Sequence, residues 1–148
     1  MSIAFDEYLS IDTVDLGTHA YWCESLLPLF NLERRVPRDV MPYVVGGVTY
    51  RGRRNLLAVS LTVNVFGDVD ADGVATADSN IGLRAHLDYL HTNLLADVTS
   101  PRSATWHLPD ASTKTADVEV VAFTVRGGSS PAHALCALEL VIPSGRFE

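Results

Sequence analysis

Apolar and small polar residues alternate along the chain from Asn55 to Phe66. The apolar positions are spaced two residues apart and are rich in valine: Leu57, Val59, Leu61, Val63 and Val65. Because successive side chains of a β-strand point to opposite faces, this spacing predicts a strand with one buried face. The other face carries small uncharged groups, which suit either solvent or the wall of a wet cavity.

A second pattern predicts a single helix from about residue 79 to 96. Leucines recur at spacings of four, three and four residues, as expected for one helical stripe: Leu83, Leu87, Leu90 and Leu94. Asp78 or Ser79 is suited to cap the start of this helix. Gly82 is expected to weaken its first turn slightly.

The remaining segments predict a mainly antiparallel β-sandwich or barrel with one flanking helix. A first strand is predicted around Ile11, Val14 and Leu16. Further strands are predicted at Ala104–Leu108, Asp117–Val125 and Ala134–Ile142. Turns are predicted between them at Pro109–Ser112 and Gly127–Pro131. The proline-, glycine- and arginine-rich segment at about 34–54 is predicted to be a long loop. We expect one domain spanning residues 1–148.

Composition narrows the functional classes. The chain has 148 residues, 47% of them apolar, which is enough for a real core. A net charge of −7 argues against a uniformly basic nucleic-acid binder. No apolar run approaches the roughly 20 residues of a membrane-spanning helix, and the first ten residues lack the features of a signal peptide. The two cysteines form no paired motif, which fits a reducing cytoplasm.

Charge is segregated along the first third of the chain. Residues 1–33 contain no lysine or arginine, and their charged residues are all acidic: Asp6, Glu7, Asp12, Asp15, Glu24 and Glu33. The next block, 34–54, contains one acid and six arginines: Arg34, Arg35, Arg38, Arg51, Arg53 and Arg54. Our hypothesis is that the arginines meet the four acids between positions 6 and 15 of a neighbouring subunit in a head-to-tail ring. The alternative is pairing within one chain, or simple solvation.

The strand and the helix are joined by an acidic turn that resembles half of a calcium-binding loop. The segment 68–73 matches the first six positions of such a loop. Asp68, Asp70 and Asp72 stand where carboxylates converge on a hard cation, and Gly73 stands where the loop turns sharply. The twelfth position is Ser79 rather than glutamate, and no helix precedes the turn. We therefore expect weak calcium binding or none, and otherwise no cofactor. The five histidines lack metal-binding spacing and no nucleophile motif occurs, so we predict a protein that is not an enzyme. A small calcium-binding module or an enzyme using this turn remains the alternative from another class.

Four features occur together between about residues 45 and 145. They are the arginine-rich run 50–54, the alternating strand, the glycine- and aspartate-rich turn 67–73 and the leucine-striped helix. In this combination and order the chain resembles the N-terminal domain of the distal tail, or baseplate hub, family of actinobacterial phages with long non-contractile tails.

The resemblance implies a tail-tube fold that forms a hexameric ring around a channel. It implies a structural protein of the virion tail, assembled in the cytoplasm of the bacterial host and without a membrane role. Its partners would be copies of itself and the neighbouring tail-tube, tape-measure and tail-tip proteins. Ser60, Thr62 and Asn64 would face a channel through which DNA passes without specific binding. A tail-tube or tail-terminator subunit is the alternative, because the same fold serves both.

Overall fold

The structure is a computed structural model that describes residues 3–30, 56–95 and 101–148, with four short strands at 34–35, 38–40, 47–49 and 53–54. The four short strands are β4 to β7 in chain order. The other seven strands are β1 (Tyr8–Ile11), β2 (Val14–Leu16), β3 (Tyr21–Cys23), β8 (Leu57–Phe66), β9 (Arg102–His107), β10 (Thr113–Ser130) and β11 (His133–Ile142). These seven form one antiparallel sheet in the order β2-β1-β9-β10-β11-β8-β3. One helix, α1 (Ser79–Leu94), and a 3₁₀ helix at Leu27–Phe30 complete the described elements. The mainly β fold with a flanking helix is confirmed.

The long strand β10 divides the sheet into two halves. Its first part, Thr113–Val118, pairs with β9, and the part from Glu119 onward pairs with β11. The two edge strands, β2 and β3, are joined by a bridge between Gly17 and Trp22. The sheet therefore curls back on itself around one core. Side chains from both halves fill that core, including Leu9, Ile11, Val14, Leu16, Leu61, Val63, Trp106, Leu138 and Leu140.

Strand β8 has the predicted alternation. The five apolar side chains from Leu57 to Val65 are buried, whereas Ser60 and Thr62 are exposed and Asn64 is half-buried. The strand begins at Leu57 rather than Asn55, which lies outside the described residues. Its burial pattern fixes the register, because a shift of one residue would turn the whole apolar set outward.

The helix α1 begins where the sequence predicts. Asp78 is the N-cap, and its Oδ1 accepts the N–H groups of Asn80 at 2.9 Å and Ile81 at 3.2 Å. Leu83, Leu90 and Leu94 are buried and Leu87 is partly buried, so the leucine stripe faces the sheet.

Two glycines bring α1 into backbone contact with the end of β8. A Cβ on Gly67 would lie 1.9 Å from the Ser79 carbonyl oxygen, and one on Gly82 would lie 2.4 Å from the Gly67 oxygen. The Thr76 hydroxyl also donates to the Gly67 oxygen at 2.5 Å. The expectation that Gly82 only weakens the first turn is therefore incomplete, because this position has no room for a side chain.

A buried arginine connects the other end of α1 to the sheet. Arg102 is 8% exposed, and its Nε donates to Asp12 Oδ2 at 2.7 Å. Its Nη1 donates to the carbonyl of Leu94, the last residue of the helix. Asp12 lies between β1 and β2 at a φ of 52° and also accepts the Ser103 N–H. One guanidinium thus joins a turn, a strand and a helix C-terminus.

The predicted loop at about 34–54 needs correction, because parts of it are paired strands. Strand β4 (Arg34–Arg35) pairs with β7 (Arg53–Arg54), and β5 (Arg38–Val40) pairs with β6 (Gly47–Thr49). Backbone pairing requires no apolar alternation, so an arginine-rich ladder leaves little signal in the sequence.

Three other boundaries differ from the prediction. The first predicted strand is a hairpin of β1 and β2 that turns at Asp12. β9 begins at Arg102 rather than Ala104 and ends at His107. The glycine- and serine-rich segment near Gly127 is not a plain loop, because β10 continues to Ser130 through irregular pairings with β11. Apolar alternation stops before such irregular strand ends, so it underestimates their length.

The two thiols lie in one row across three strands. Cys23 on β3 and Cys136 on β11 both pair with Val63 on β8. Their Cα atoms are thus two strand spacings apart, about 10 Å, whereas a disulfide requires less than about 7 Å. Burial raises the pKa of Cys23 to about 12 and that of Cys136 to about 11, in line with the apolar surroundings of Cys23 in the sequence.

We predict that Cys136, which is buried, resists iodoacetamide at pH 8 until the protein unfolds, and that the half-buried Cys23 reacts more slowly in the folded protein than after unfolding. The folded state favours the neutral thiol, so this contribution to stability is complete below the unfolded pKa of about 8.5. It is lost as the pH rises toward 11. Mass spectrometry after alkylation, with and without urea, checks the first point, and unfolding curves between pH 7 and 10.5 check the second. Rapid alkylation of the folded protein, or a melting temperature that depends on a reducing agent, would contradict this assignment.

Candidate functional site

The polar face of β8, defined by Ser60, Thr62 and Asn64, lies on the side of the sheet away from the core. Strand β11 extends this surface, with Glu139 opposite Ser60 and Ala137 opposite Thr62. Glu139 lies 3.9 Å from Arg126, and both side chains are well exposed, so water screens this pair strongly. The resulting surface is composed of short side chains with few strong hydrogen-bonding or charged groups.

Asn64 differs from its two neighbours because it lies beside an aromatic stack. Four rings follow one another across the sheet, with centroid distances of 5.4 Å from Phe5 to Trp22, 5.1 Å from Trp22 to Phe66 and 4.3 Å from Phe66 to His133. His133 Nε2 donates to Asn64 Oδ1 at 3.1 Å. The stack fixes the N-terminal segment against the sheet. Its one signal in the sequence is Phe66, an aromatic residue on the otherwise polar side of the alternation.

The charged residues expected at a subunit boundary fall into different environments. Asp12 binds Arg102, and Asp15 accepts a hydrogen bond from the Ser10 hydroxyl at 2.6 Å. Both acids therefore have partners within the chain. Asp6 is exposed and Glu7 is half-buried.

The backbone register of the short strands places four of the arginines opposite one another. Arg34 is opposite Arg54 and Arg35 is opposite Arg53 in the register of β4 and β7. We call these four residues the arginine ladder. The ladder therefore concentrates four positive charges on two short strands. Like charges at opposite register positions destabilise a strand pair, so this arrangement weakens the pairing of β4 with β7. Arg38 lies on β5, opposite Thr49, and Arg51 lies outside the described residues.

The acidic turn is held by its own backbone. Asp70 Oδ1 accepts the N–H groups of Asp72 and Val74, each at 2.9 Å. His86 Nε2 donates to the Val69 carbonyl at 2.9 Å and attaches the turn to α1. Within residues 3–30, 56–95 and 101–148, no group of three histidine, cysteine or acidic side chains is arranged to hold a metal ion. Weak calcium binding or none at Asp68, Asp70 and Asp72 stays the prediction.

No family model matches the sequence, and no curated protein matches it. Among solved structures, the fold matches the SPP1 Dit (gp 19.1) protein, described as a paradigm of hub adsorption apparatus in Gram-positive-infecting phages. The TM-score is 0.59 at 17% sequence identity, over 94% of this chain and 50% of the Dit chain.

The chain has the fold of part of a phage hub protein. It spans about half the length of Dit, and at this identity the match concerns the fold alone. The resemblance seen in the sequence is thus confirmed at the level of a hub-like fold, and an actinobacterial origin stays a prediction. Among the helices that the structure describes, none is long and apolar enough to cross a membrane.

Proposed function

We propose that this chain is a structural, non-enzymatic subunit of a bacteriophage tail that forms a ring, hexameric as in the resemblance, at the distal hub. The observation that carries the proposal is the match of nearly the whole chain to a hub protein's fold. Fold alone does not determine function, so the surfaces must also suit the role. The partners would be further copies of this chain and the adjacent tail-tube, tape-measure and tail-tip proteins, in the virion tail after assembly in the host cytoplasm.

The polar face of β8 is our candidate for the channel wall. Its exposed Ser60 and Thr62 lack charge and long side chains, and the Glu139 carboxylate beside them lies 3.9 Å from the one nearby cation that the described residues show, Arg126. DNA phosphates bind chiefly through arginine and lysine, so such a wall lets DNA pass without holding it. This property supports the choice of face.

The arginine ladder is our candidate for the ring contact. It carries four positive charges on two paired strands, whereas Asp12 and Asp15 already have partners within the chain. On the acidic side, the proposal therefore depends mainly on Asp6 and Glu7 of the neighbouring copy. Complementary charge fixes the orientation of partners and speeds their encounter.

We predict that the double substitution Arg53→Glu and Arg54→Glu prevents ring formation and leaves the monomer folded. The substitutions place opposite charges across the ladder, so the strand pair itself should gain slightly in stability. Sedimentation velocity measures assembly, and circular dichroism measures folding. A control with Arg84→Glu and Arg126→Glu makes the same change in net charge elsewhere. Rings that form equally well in both variants would exclude the ladder as the contact.

The proposed role itself is tested by negative-stain electron microscopy of the concentrated protein, with light scattering for mass. Discrete sixfold rings with a central hole support a hub or terminator subunit. Long tubes would favour the tail-tube subunit, which is the alternative with the same fold. A protein that stays monomeric at every concentration would contradict self-assembly into rings.

A further inference from the structure

A pocket of about 360 Å³ opens beside β9 and β10, and none of its lining residues belongs to the polar face of β8 or to the arginine ladder. The 3₁₀ helix contributes Leu29 and Phe30, β9 contributes Trp106, and β10 contributes Lys114. The segment after β11 closes it with Phe147. Its walls are therefore largely apolar and aromatic, and Lys114, Arg146 and Glu148 add charged groups.

The indole of Trp106 has an unused hydrogen-bond donor. The residue is 1% exposed, and its Nε1 has no hydrogen-bond partner among the described residues. The ring is held edge-to-face by Phe30, at 4.6 Å between centroids, and by Phe147, at 6.0 Å. Buried donors nearly always have an acceptor, and leaving one unpaired is costly. A ligand that brings an oxygen acceptor would remove this cost.

Lys114 places a positive charge beside the aromatic rings of the pocket. It lies opposite Trp106 in the register of β9 and β10, and its Nζ is 6.0 Å from the Trp106 ring and 5.9 Å from the Phe30 ring. No carboxylate pairs with Lys114 among the described residues. The nearby Arg146 binds Glu148 at 2.9 Å, so two cations face one acid in a protein whose net charge is −7.

We propose that this pocket binds a peptide segment of a partner protein in which an aromatic or aliphatic side chain adjoins a carboxylate. The apolar side chain would pack among Phe30, Trp106 and Phe147. The carboxylate would bind the Lys114 ammonium, and a peptide or carboxylate oxygen would accept from the Trp106 N–H. The volume is at the small end of binding pockets, which suits one inserted side chain. This inference does not depend on the proposed tail role.

The fluorescence of Trp106 gives a direct test. The chain has two tryptophans, so a Trp22→Phe background leaves Trp106 as the reporter. The probe is the blocked dipeptide N-acetyl-Phe-Asp-amide, and the control probe is N-acetyl-Phe-Asn-amide, which lacks the charge. We expect a saturable change in emission, with the neutral probe binding about tenfold more weakly because it loses the charge-assisted bond.

Variants separate pocket binding from nonspecific association. Lys114→Met keeps an apolar stem and should reduce affinity for the acidic probe about tenfold, to that of the neutral probe. Arg126→Met removes an exposed cation elsewhere and should leave both affinities unchanged. A melting curve of each variant establishes that it is folded. No saturable signal up to millimolar probe, equal affinities for the two probes, or full binding by the Lys114→Met variant would each overturn the proposal.

Discussion

Replacing Gly82 with alanine is expected to destabilise the protein by about 1–2 kcal/mol, although alanine is the better helix former. Helix propensity alone predicts a gain of about 1 kcal/mol for this substitution. The new Cβ, however, would lie 2.4 Å from the Gly67 carbonyl oxygen, a backbone atom that cannot turn away as a side chain does. Separating α1 from β8 would loosen the packing of Leu83 on the sheet, and overpacking of this kind typically costs 1–3 kcal/mol.

Urea unfolding of three variants would measure this effect. Gly82→Ala should lower the midpoint, and Gly67→Ala should do so at least as strongly, because its Cβ would lie 1.9 Å from the Ser79 oxygen. The control is Ala85→Gly on the exposed side of the same helix, where propensity alone predicts a loss of about 1 kcal/mol. If Gly82→Ala raises the midpoint, the close approach of helix and strand is wrong.

Removing the Arg102 guanidinium should cost about 2–4 kcal/mol. In Arg102→Met the Leu94 carbonyl at the end of α1 loses its donor, and Asp12 loses its ion pair. Breaking a buried pair by removing one partner costs about 3–5 kcal/mol. The lower expected value reflects Asp12, which is 38% exposed and can be rehydrated.

The Asp12→Asn variant tests the same pair from the other side. Asparagine tolerates the positive φ at this position, so the charge is removed with little backbone strain. The double variant should lose less stability than the sum of the two single variants, because each alone already breaks the pair. Arg126→Met, which breaks an exposed pair, should change the unfolding free energy by less than about 1 kcal/mol. Additive losses for Arg102 and Asp12 would show that they act independently.

These residues also mark the limit of what the sequence predicts. The alternation in β8, the leucine stripe of α1 and its Asp78 cap are local patterns, and each appears in the structure as expected. Arg102 and Asp12 are far apart in sequence and have no local signal that relates them. Similarly, position 82 requires glycine because the helix touches the Gly67 carbonyl at the end of β8. Helix propensity considers the helix alone, so it wrongly predicts that alanine would stabilise this position.

The candidate sites divide in the same way. Ser60 and Thr62 were found because a period of two assigns them to one face of a strand. The sequence patterns do not point to the pocket residues Trp106 and Lys114. The available signal is the predicted turn after β9, because a hairpin around that turn pairs the two residues. The role of the arginine ladder depends on an assembly, and a single chain contains no second copy to bind it.

The first three strands of the chain occupy both margins of the curled sheet. Leu9 on β1 pairs with Trp106 on β9, and Tyr21 on β3 pairs with Val65 on β8. During synthesis these early strands leave the ribosome well before their partners exist. The hairpin of β10 and β11, by contrast, joins neighbours in sequence and can form quickly. The pairing of β1 with β9 is therefore expected to come late in folding, and a nascent chain that has not reached β9 carries an unpaired strand edge that is prone to misassembly.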